Sequence, residues 1–208
     1  MSPALLRRQL TKLIWGLLMA TFDFNLNTLD ILPDCVGWFL LASGVKGLGP
    51  VLPQLPLLYP LAAAMGAVSV PEEVLQLFGA DLWEALPGFL SPAVSLVLQV
   101  ISIYFFFQLF TDLATLAARL QPEGRRLDRA MRWQRNARTV LNTAAALAPP
   151  SLLQQFENNV AAVVALTGYV LFLVIWGLWC LVSLRAMVPA EEAPAEDAPA
   201  PPPGPGTP

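Results

Sequence analysis

The sequence contains no histidine. This removes the commonest metal ligand and the side chain most used for acid–base chemistry near neutral pH. Zinc proteases of the H-E-x-x-H type and histidine-dependent phosphatases are therefore excluded. Charge is scarce as well: 13% of the 208 residues are charged, where a soluble domain carries about 25%. There are two cysteines, Cys35 and Cys180, each in an apolar setting. Neither a disulfide framework nor a thiolate metal site is expected from them. The net charge of −3 is local, because four acids lie in the tail between Glu191 and Asp197; the rest of the chain is at +1.

What is present is apolar. Hydrophobic residues make up 56% of the chain, and the mean hydropathy is +0.58. Five uncharged blocks stand out: Leu13–Phe22, Val36–Val45, Gly47–Pro71, Ala85–Thr111 and Asn158–Leu184. The last three are 25, 27 and 27 residues long. A helix crosses a bilayer with about 20 apolar residues, and backbone in lipid must satisfy its own hydrogen bonds. Three spanning helices are expected on this ground alone, a buried helix of a soluble core being the alternative. The fold class expected is an all-α integral membrane protein. It is a helical bundle of about six membrane segments, some short or re-entrant, over residues 1–188. The approximate segments are 5–24, 33–47, 51–70, 89–115, 127–148 and 160–184. Residues 189–208 are mostly proline, alanine, glycine and acid, a composition that cannot bury a core, and a disordered tail is expected.

Arg7, Arg8 and Lys12 precede a short apolar run, as in a signal peptide, but no small-x-small cleavage site follows. A first membrane helix anchored by cytoplasmic positive charge accounts for them better. In segment two, Gly37 and Gly44 are seven apart and share a helix face, which invites close approach of a neighbouring backbone. In segment three, Pro53, Pro56 and Pro60 stiffen or break the first half, and Ala62 and Gly66 form a small-xxx-small pair. Ser69-Val70-Pro71-Glu72 reads as a capping box opening a short surface helix, with Trp83 at headgroup level. In segment four, Ser91, Ser95, Gln99 and Ser102 form one stripe. They line a polar path or, more commonly, bond to neighbouring helices.

Arg119 to Arg138 holds seven of the twelve basic residues. On a helix, Arg125, Arg129 and Arg132 project from one side, with Leu127, Ala130, Met131, Ala137 and Leu141 opposite. An amphipathic basic helix of this kind lies on an anionic leaflet, so anionic lipid headgroups are the expected contact of Arg125, Arg129 and Arg132. The arginines also serve simply to hold this loop inside. Nucleic acid is not expected as a partner. With six segments and an internal N-terminus, all twelve Lys and Arg face the cytoplasm, both termini included. With five, Arg185 and the tail end outside.

The most polar run is Phe22-Asp23-Phe24-Asn25-Leu26-Asn27-Thr28-Leu29-Asp30-Ile31-Leu32-Pro33-Asp34. Phe22, Phe24 and Leu26 alternate with Asp23, Asn25 and Asn27, which is strand periodicity. Segment one is thus expected to unwind into extended chain near its outer end. Asp23, Asp30 and Asp34 are oxygen ligands suited to Ca²⁺ or Mg²⁺. The run carries no EF-hand pattern, and a turn at the membrane surface capped by its own side chains is the default reading. Asp23 and Gln99 form a possible intramembrane polar site, since an ionisable residue below the headgroups is a functional candidate by default.

"NLNTLDILPDCVGWFLLASGVKGL", Asn25 to Leu48, resembles the start of uncharacterised multi-spanning membrane proteins of Gram-positive bacteria. These carry an N-I-N…I-L-P-D-F-I-G-Y-x-L-I-x-x-G-L type of run. Cys35 stands where an aromatic is usual, and Trp38 replaces a tyrosine. The resemblance implies location and topology, a multi-pass protein of the cell membrane, and no activity.

Three function classes follow. The first is a non-catalytic membrane protein that scaffolds, senses or assists a membrane-protein partner. The second is a small-solute or cation transporter or channel using Asp23 and nearby polar residues. The third is a membrane enzyme. Glu72-Glu73 resembles the paired glutamates of CAAX-protease-like proteins, but Leu77 stands where their arginine is expected. No inverted repeat suggests a transporter. The expectation is the first class, with no catalytic residues and no cofactor. A hydrated cavity shared by Asp23 and Gln99 would favour transport, a dry interface scaffolding.

Overall fold

The computed structural model describes residues 1–21, 25–26, 29–30, 34–80, 82, 87–88, 90–149, 151 and 158–189. Of residues 25, 26, 29, 30 and 77 only the backbone is described. Trp83, residues 152–157 and the tail beyond Pro189 lie outside these residues, so the expectations placed on them are not addressed by the structure.

The first helix, α1, runs Pro3–Met19. Ser2 caps it by accepting the Leu5 N–H at 3.3 Å, and Pro3 sits in the first turn, where a missing N–H is harmless. Leu6, Leu10, Leu13 and Leu17 recur every three or four residues and are buried. The helix is shorter than the expected 5–24; of the alternating run beyond it, Phe22 to Phe24 and Asn27 lie outside the described residues, and Asn25–Leu26 is extended. Asn25–Leu26 (β1) pairs antiparallel with Leu29–Asp30 (β2), in the register Asn25–Asp30 and Leu26–Leu29. Apart from this two-residue ladder, the described secondary structure is helical.

Helix α2, Asp34–Gly47, returns antiparallel along α1. The glycine face does what its spacing implies. A Cβ on Gly37 would lie 2.5 Å from the Ala20 nitrogen, and one on Gly44 2.6 Å from the Leu13 side chain. Two helix backbones meet here, held further by Lys12 Nζ donating to Ser43 Oγ at 2.8 Å.

Prolines then interrupt the chain as expected. A 3-10 turn at Leu55–Leu58 leads into α3, Tyr59–Leu77, with Pro60 in its first turn. Ala62 is fully buried, and Gly66 lies against the Phe39 ring, where a Cβ would come within 3.1 Å. The capping box is overturned. Helix α3 continues through Pro71 without a break, and the Ser69 hydroxyl donates back to the Met65 carbonyl at 3.0 Å. A helix already propagating from Tyr59 needs no second nucleus, and tolerates the one N–H that proline removes. The separate surface helix expected after Glu72 is the last turn of α3.

Helix α4, Leu90–Leu120, is 31 residues long. Helix α5, Leu127–Leu147, folds back antiparallel to it, and α6, Val160–Met187, packs on both. Gln121 forms the corner. Its Oε1 accepts the N–H groups of Leu127 and Asp128, at 3.0 and 3.4 Å, capping α5.

The core occupies one end of the bundle. It draws Leu10, Leu13 and Leu17 from α1, Leu41 and Val45 from α2, Leu55 and Leu58 from the 3-10 turn, and Phe105, Phe110 and Leu113 from α4. Met131 of α5 and Leu181 and Leu184 of α6 complete it. Trp38 packs edge-on to Phe105, with ring centroids 5.4 Å apart. At the other end the helices separate. In α4, Leu96, Val97, Val100 and Tyr104 are each at least 50% exposed. Through the first half of α6, Val160 to Phe172, no residue is buried.

Three helical stretches are long and apolar enough to cross a membrane: Leu55–Gln76, Leu90–Leu120 and Val160–Met187. Such a set, with apolar side chains on open faces, is compatible with a membrane location. Helices α1 and α2 have 17 and 14 residues, and α5 carries Arg129, Arg132, Arg135 and Arg138 from its first turn to just past its middle, so these three fall short of that measure.

Candidate functional site

The acidic run is only partly in view. Asp23 lies outside the described residues, and Asp30 is described by its backbone in β2 alone. Asp34 opens α2, where its charge favours the helix N-terminus. Beside it, Glu73 reaches across from α3. Its Oε1 accepts the Cys35 N–H at 2.7 Å, and its Oε2 accepts the Cys35 thiol at 3.1 Å. A carboxylate from one helix thus caps another. Among the described residues, no group of three or more Cys, Asp or Glu is placed to hold a metal ion.

The seam between α4 and α5 carries most of the polar chemistry. Near the open end, Gln99 Nε2 donates to the Asn142 carbonyl at 3.3 Å. Gln99 is thus engaged in the interface between α4 and α5. Its relation to Asp23 falls outside the described residues. Two turns closer to the core, Arg135 Nη1 donates to Thr111 Oγ1 at 3.1 Å, and its guanidinium lies 4.5 Å from the Phe107 ring centroid.

Arg138 is placed differently. Its guanidinium carbon stands 3.8 Å from the centroid of Phe106, the middle of α4. The residue as a whole is half-buried, but its Nη1 is closed off from solvent and has no hydrogen-bond partner. The same side chain borders a cavity of about 250 Å³ between the end of α1, α5 and α6. Thr21, Asn142, Val170 and Leu173 are among its other walls.

Two further polar side chains are buried in the core. Gln134 of α5 is fully buried and donates from Nε2 to the Leu173 carbonyl of α6 at 2.6 Å. Gly177 makes room for it, since a Cβ there would lie 3.0 Å from that nitrogen. Asp112 of α4 is 6% exposed, and both its carboxylate oxygens accept from Gln108 Nε2 at 3.1 Å. Neither Arg138, Gln134 nor Asp112 is distinguished in the sequence. Arg138 lies three residues from Arg135 and thirteen from Arg125 in a run that reads as one solvated basic face.

Arg129 and Arg132 are exposed on α5, and Leu127 and Met131 are buried. Arg125 is exposed too, but in the loop before α5 and not on its face, because the helix starts only at Leu127 after the Arg126 cap. Arg132 pairs with Asp128 one turn back, at 2.7 Å. The helix does not lie apart on a surface, however. It stands against α4 over its length, from the Gln121–Asp128 contact to the Gln99–Asn142 contact. The apolar face satisfied by a leaflet in the sequence reading is satisfied here by α4 and α6. Arg125 and Arg126, with Trp179 and Ser183 of α6, border a groove of about 390 Å³.

No family model, no curated protein and no solved structure matches the chain.

Proposed function

We propose that this chain is a non-catalytic multi-pass protein of the cytoplasmic membrane that acts as an accessory or scaffolding subunit. The observation that carries the reading is the open end of the bundle. From Val160 to Phe172, α6 is uncharged and has no buried residue on any side. A helix apolar all round needs an apolar surrounding on all sides, lipid or another membrane helix. Transport through Gln99 is disfavoured, because its amide is engaged in the α4–α5 interface.

Six membrane segments with both termini inside fit this reading. Asn142 is level with Gln99, so α5 returns alongside α4 through most of the depth that α4 crosses. The positive-inside rule points the same way, since this threading leaves no Lys or Arg outside.

The partner is tested by a photoreactive amino acid placed singly in α6, at Val164 and Leu171 on one face and at Val163 and Val170 on another. A discrete protein adduct from one face in intact membranes is the expected result. Adducts to lipid alone from all four positions would remove the scaffolding reading and leave only residence in the bilayer.

Anionic lipid is the second proposed contact, at Arg125, Arg129 and Arg132 beside the Trp179 groove. Each free arginine near an anionic surface contributes about 1 kcal/mol, and Arg132 less because it is paired. Phosphatidylglycerol retained on the purified protein should fall in the Arg125→Gln/Arg129→Gln variant and in high salt. Retention equal to that of phosphatidylcholine in the unmodified protein would show that these side chains do not select lipid.

A further inference from the structure

We propose that the cavity beside Arg138 is a binding site for a single anionic group, a phosphate or carboxylate, carried by a lipid headgroup or a small soluble anion. The inference goes beyond the accessory role and does not depend on it. It starts from an imbalance. A guanidinium offers five N–H donors and accepts nothing. No hydrogen bond or ion pair satisfies Arg138 among the described residues, and its Nη1 is closed off from solvent. Taking part of a charged group out of water is unfavourable. The Phe106 ring at 3.8 Å is the visible compensation, through a cation–π contact. The ring offsets part of the cost, and a counter-charge is the natural source of the remainder.

Arg138 borders the cavity through atoms other than the sealed Nη1, and an anion held there would neutralise the same guanidinium. The cavity's volume of about 250 Å³ is under the range of about 300–1,000 Å³ typical of drug-sized ligands. An anionic group fits, with little room for a large polar body. Its walls divide by chemistry. Arg138 and Asn142 supply polar groups, Thr21 spends its hydroxyl proton on the Leu17 carbonyl, and Leu141, Val170 and Val174 form an apolar surface. That division suits an anion with apolar substance attached. The second polar observation is independent of the arginine: the Asn142 carbonyl is already engaged by Gln99, which fixes this wall of the site. Arg125 borders a groove as well, but neither it nor Arg129 has a nitrogen closed off from solvent or a ring beneath its guanidinium among the described residues.

The test uses the full chain in a neutral detergent and reads its thermal midpoint. In one arm phosphatidylglycerol is titrated against phosphatidylcholine, and in the other inorganic phosphate against chloride at equal ionic strength. A ligand at about a hundredfold over its Kd should raise the midpoint by about 5–10 °C. The shift should vanish in Arg138→Met and survive in Arg125→Gln/Arg129→Gln/Arg132→Gln. If Arg138→Met does not fold, Val170→Trp carries the test. Val170 is 40% exposed, so a larger side chain there narrows the cavity from its rim and leaves the arginine in place. A shift with lipid alone assigns a headgroup, and a shift with inorganic phosphate assigns a soluble anion. No shift beyond the controls in either arm overturns the proposal. So does a full shift in Val170→Trp, or a shift lost with the three exposed arginines and kept without Arg138.

Discussion

Gly37→Ala should lower the thermal midpoint of the detergent-solubilised protein by about 5–10 °C, while Gly168→Ala should raise it slightly. The two glycines both sit in helices, but only one is at a crossing. A Cβ on Gly37 meets the Ala20 nitrogen at 2.5 Å and the Ala20 Cα at 3.0 Å. Backbone cannot rotate away as a side-chain tip can, so α1 and α2 must separate. Opposite it, Gly16 lies close to the Gly37 carbonyl, where a Cβ would stand at 2.9 Å. The approach is therefore tight from both sides. Overpacking of this sort costs about 1–3 kcal/mol, and each kcal/mol moves the midpoint of a chain this size by about 2–4 °C. Gly168 has nothing within 4 Å of its added Cβ. There the substitution changes only helix propensity, a gain of about 0.5–1 kcal/mol. A Gly37→Ala protein as stable as the parent would mean that the α1–α2 crossing is looser than described.

This crossing was also the part of the fold most legible in the sequence. Gly37 and Gly44 are seven residues apart, and that spacing alone places them on one face. The start of α3 was legible for a similar reason, because Pro53, Pro56 and Pro60 each restrict the chain locally. Ser69 to Glu72 shows where local reasoning fails. The capping signature is genuine as a pattern, yet Ala62 and Gly66 had already committed the chain to a helix packed on α2. Tertiary contact overrode the local signal.

The candidate site was less legible than the fold. Periodicity places Arg129 and Arg132 on the exposed face of α5, whereas Arg125 precedes the helix and is exposed in the loop before it. The same periodicity puts Arg135 and Arg138 elsewhere on the helix, but says nothing about what meets them there. That depends on Phe106 and Phe107 of α4, which approach only because the α4–α5 hairpin closes at Gln121. Asp112 was hidden for a different reason. It ends an uncharged block, so it reads as a boundary, whereas α4 continues to Leu120 and carries it into the core.

The threading of the chain gives an all-or-none labelling pattern. With Cys35 and Cys180 replaced by alanine, single cysteines are placed at Asn158 and at Ala193. A membrane-impermeant thiol reagent applied to intact cells should label Asn158→Cys and spare Ala193→Cys. The replacements are chosen to leave the core in place. Cys180→Ala removes one buried sulfur, and Cys35→Ala keeps the backbone N–H that Glu73 accepts at 2.7 Å. The expectation follows from α5. Were that helix to lie flat on the inner surface, Asn158 would be internal, α6 would run outward, and Arg185 with the acidic tail would end outside. A flat α5 would have to release Gln99 from Asn142 and Thr111 from Arg135, contacts spread along the length of α4. It would also strip Met131 and Gln134, both fully buried, of their neighbours in α4 and α6. Labelling at Ala193→Cys with protection at Asn158→Cys would establish five crossings and an external tail. The α1–α2–α3 packing would stand in that case, since it is built from residues that precede α4.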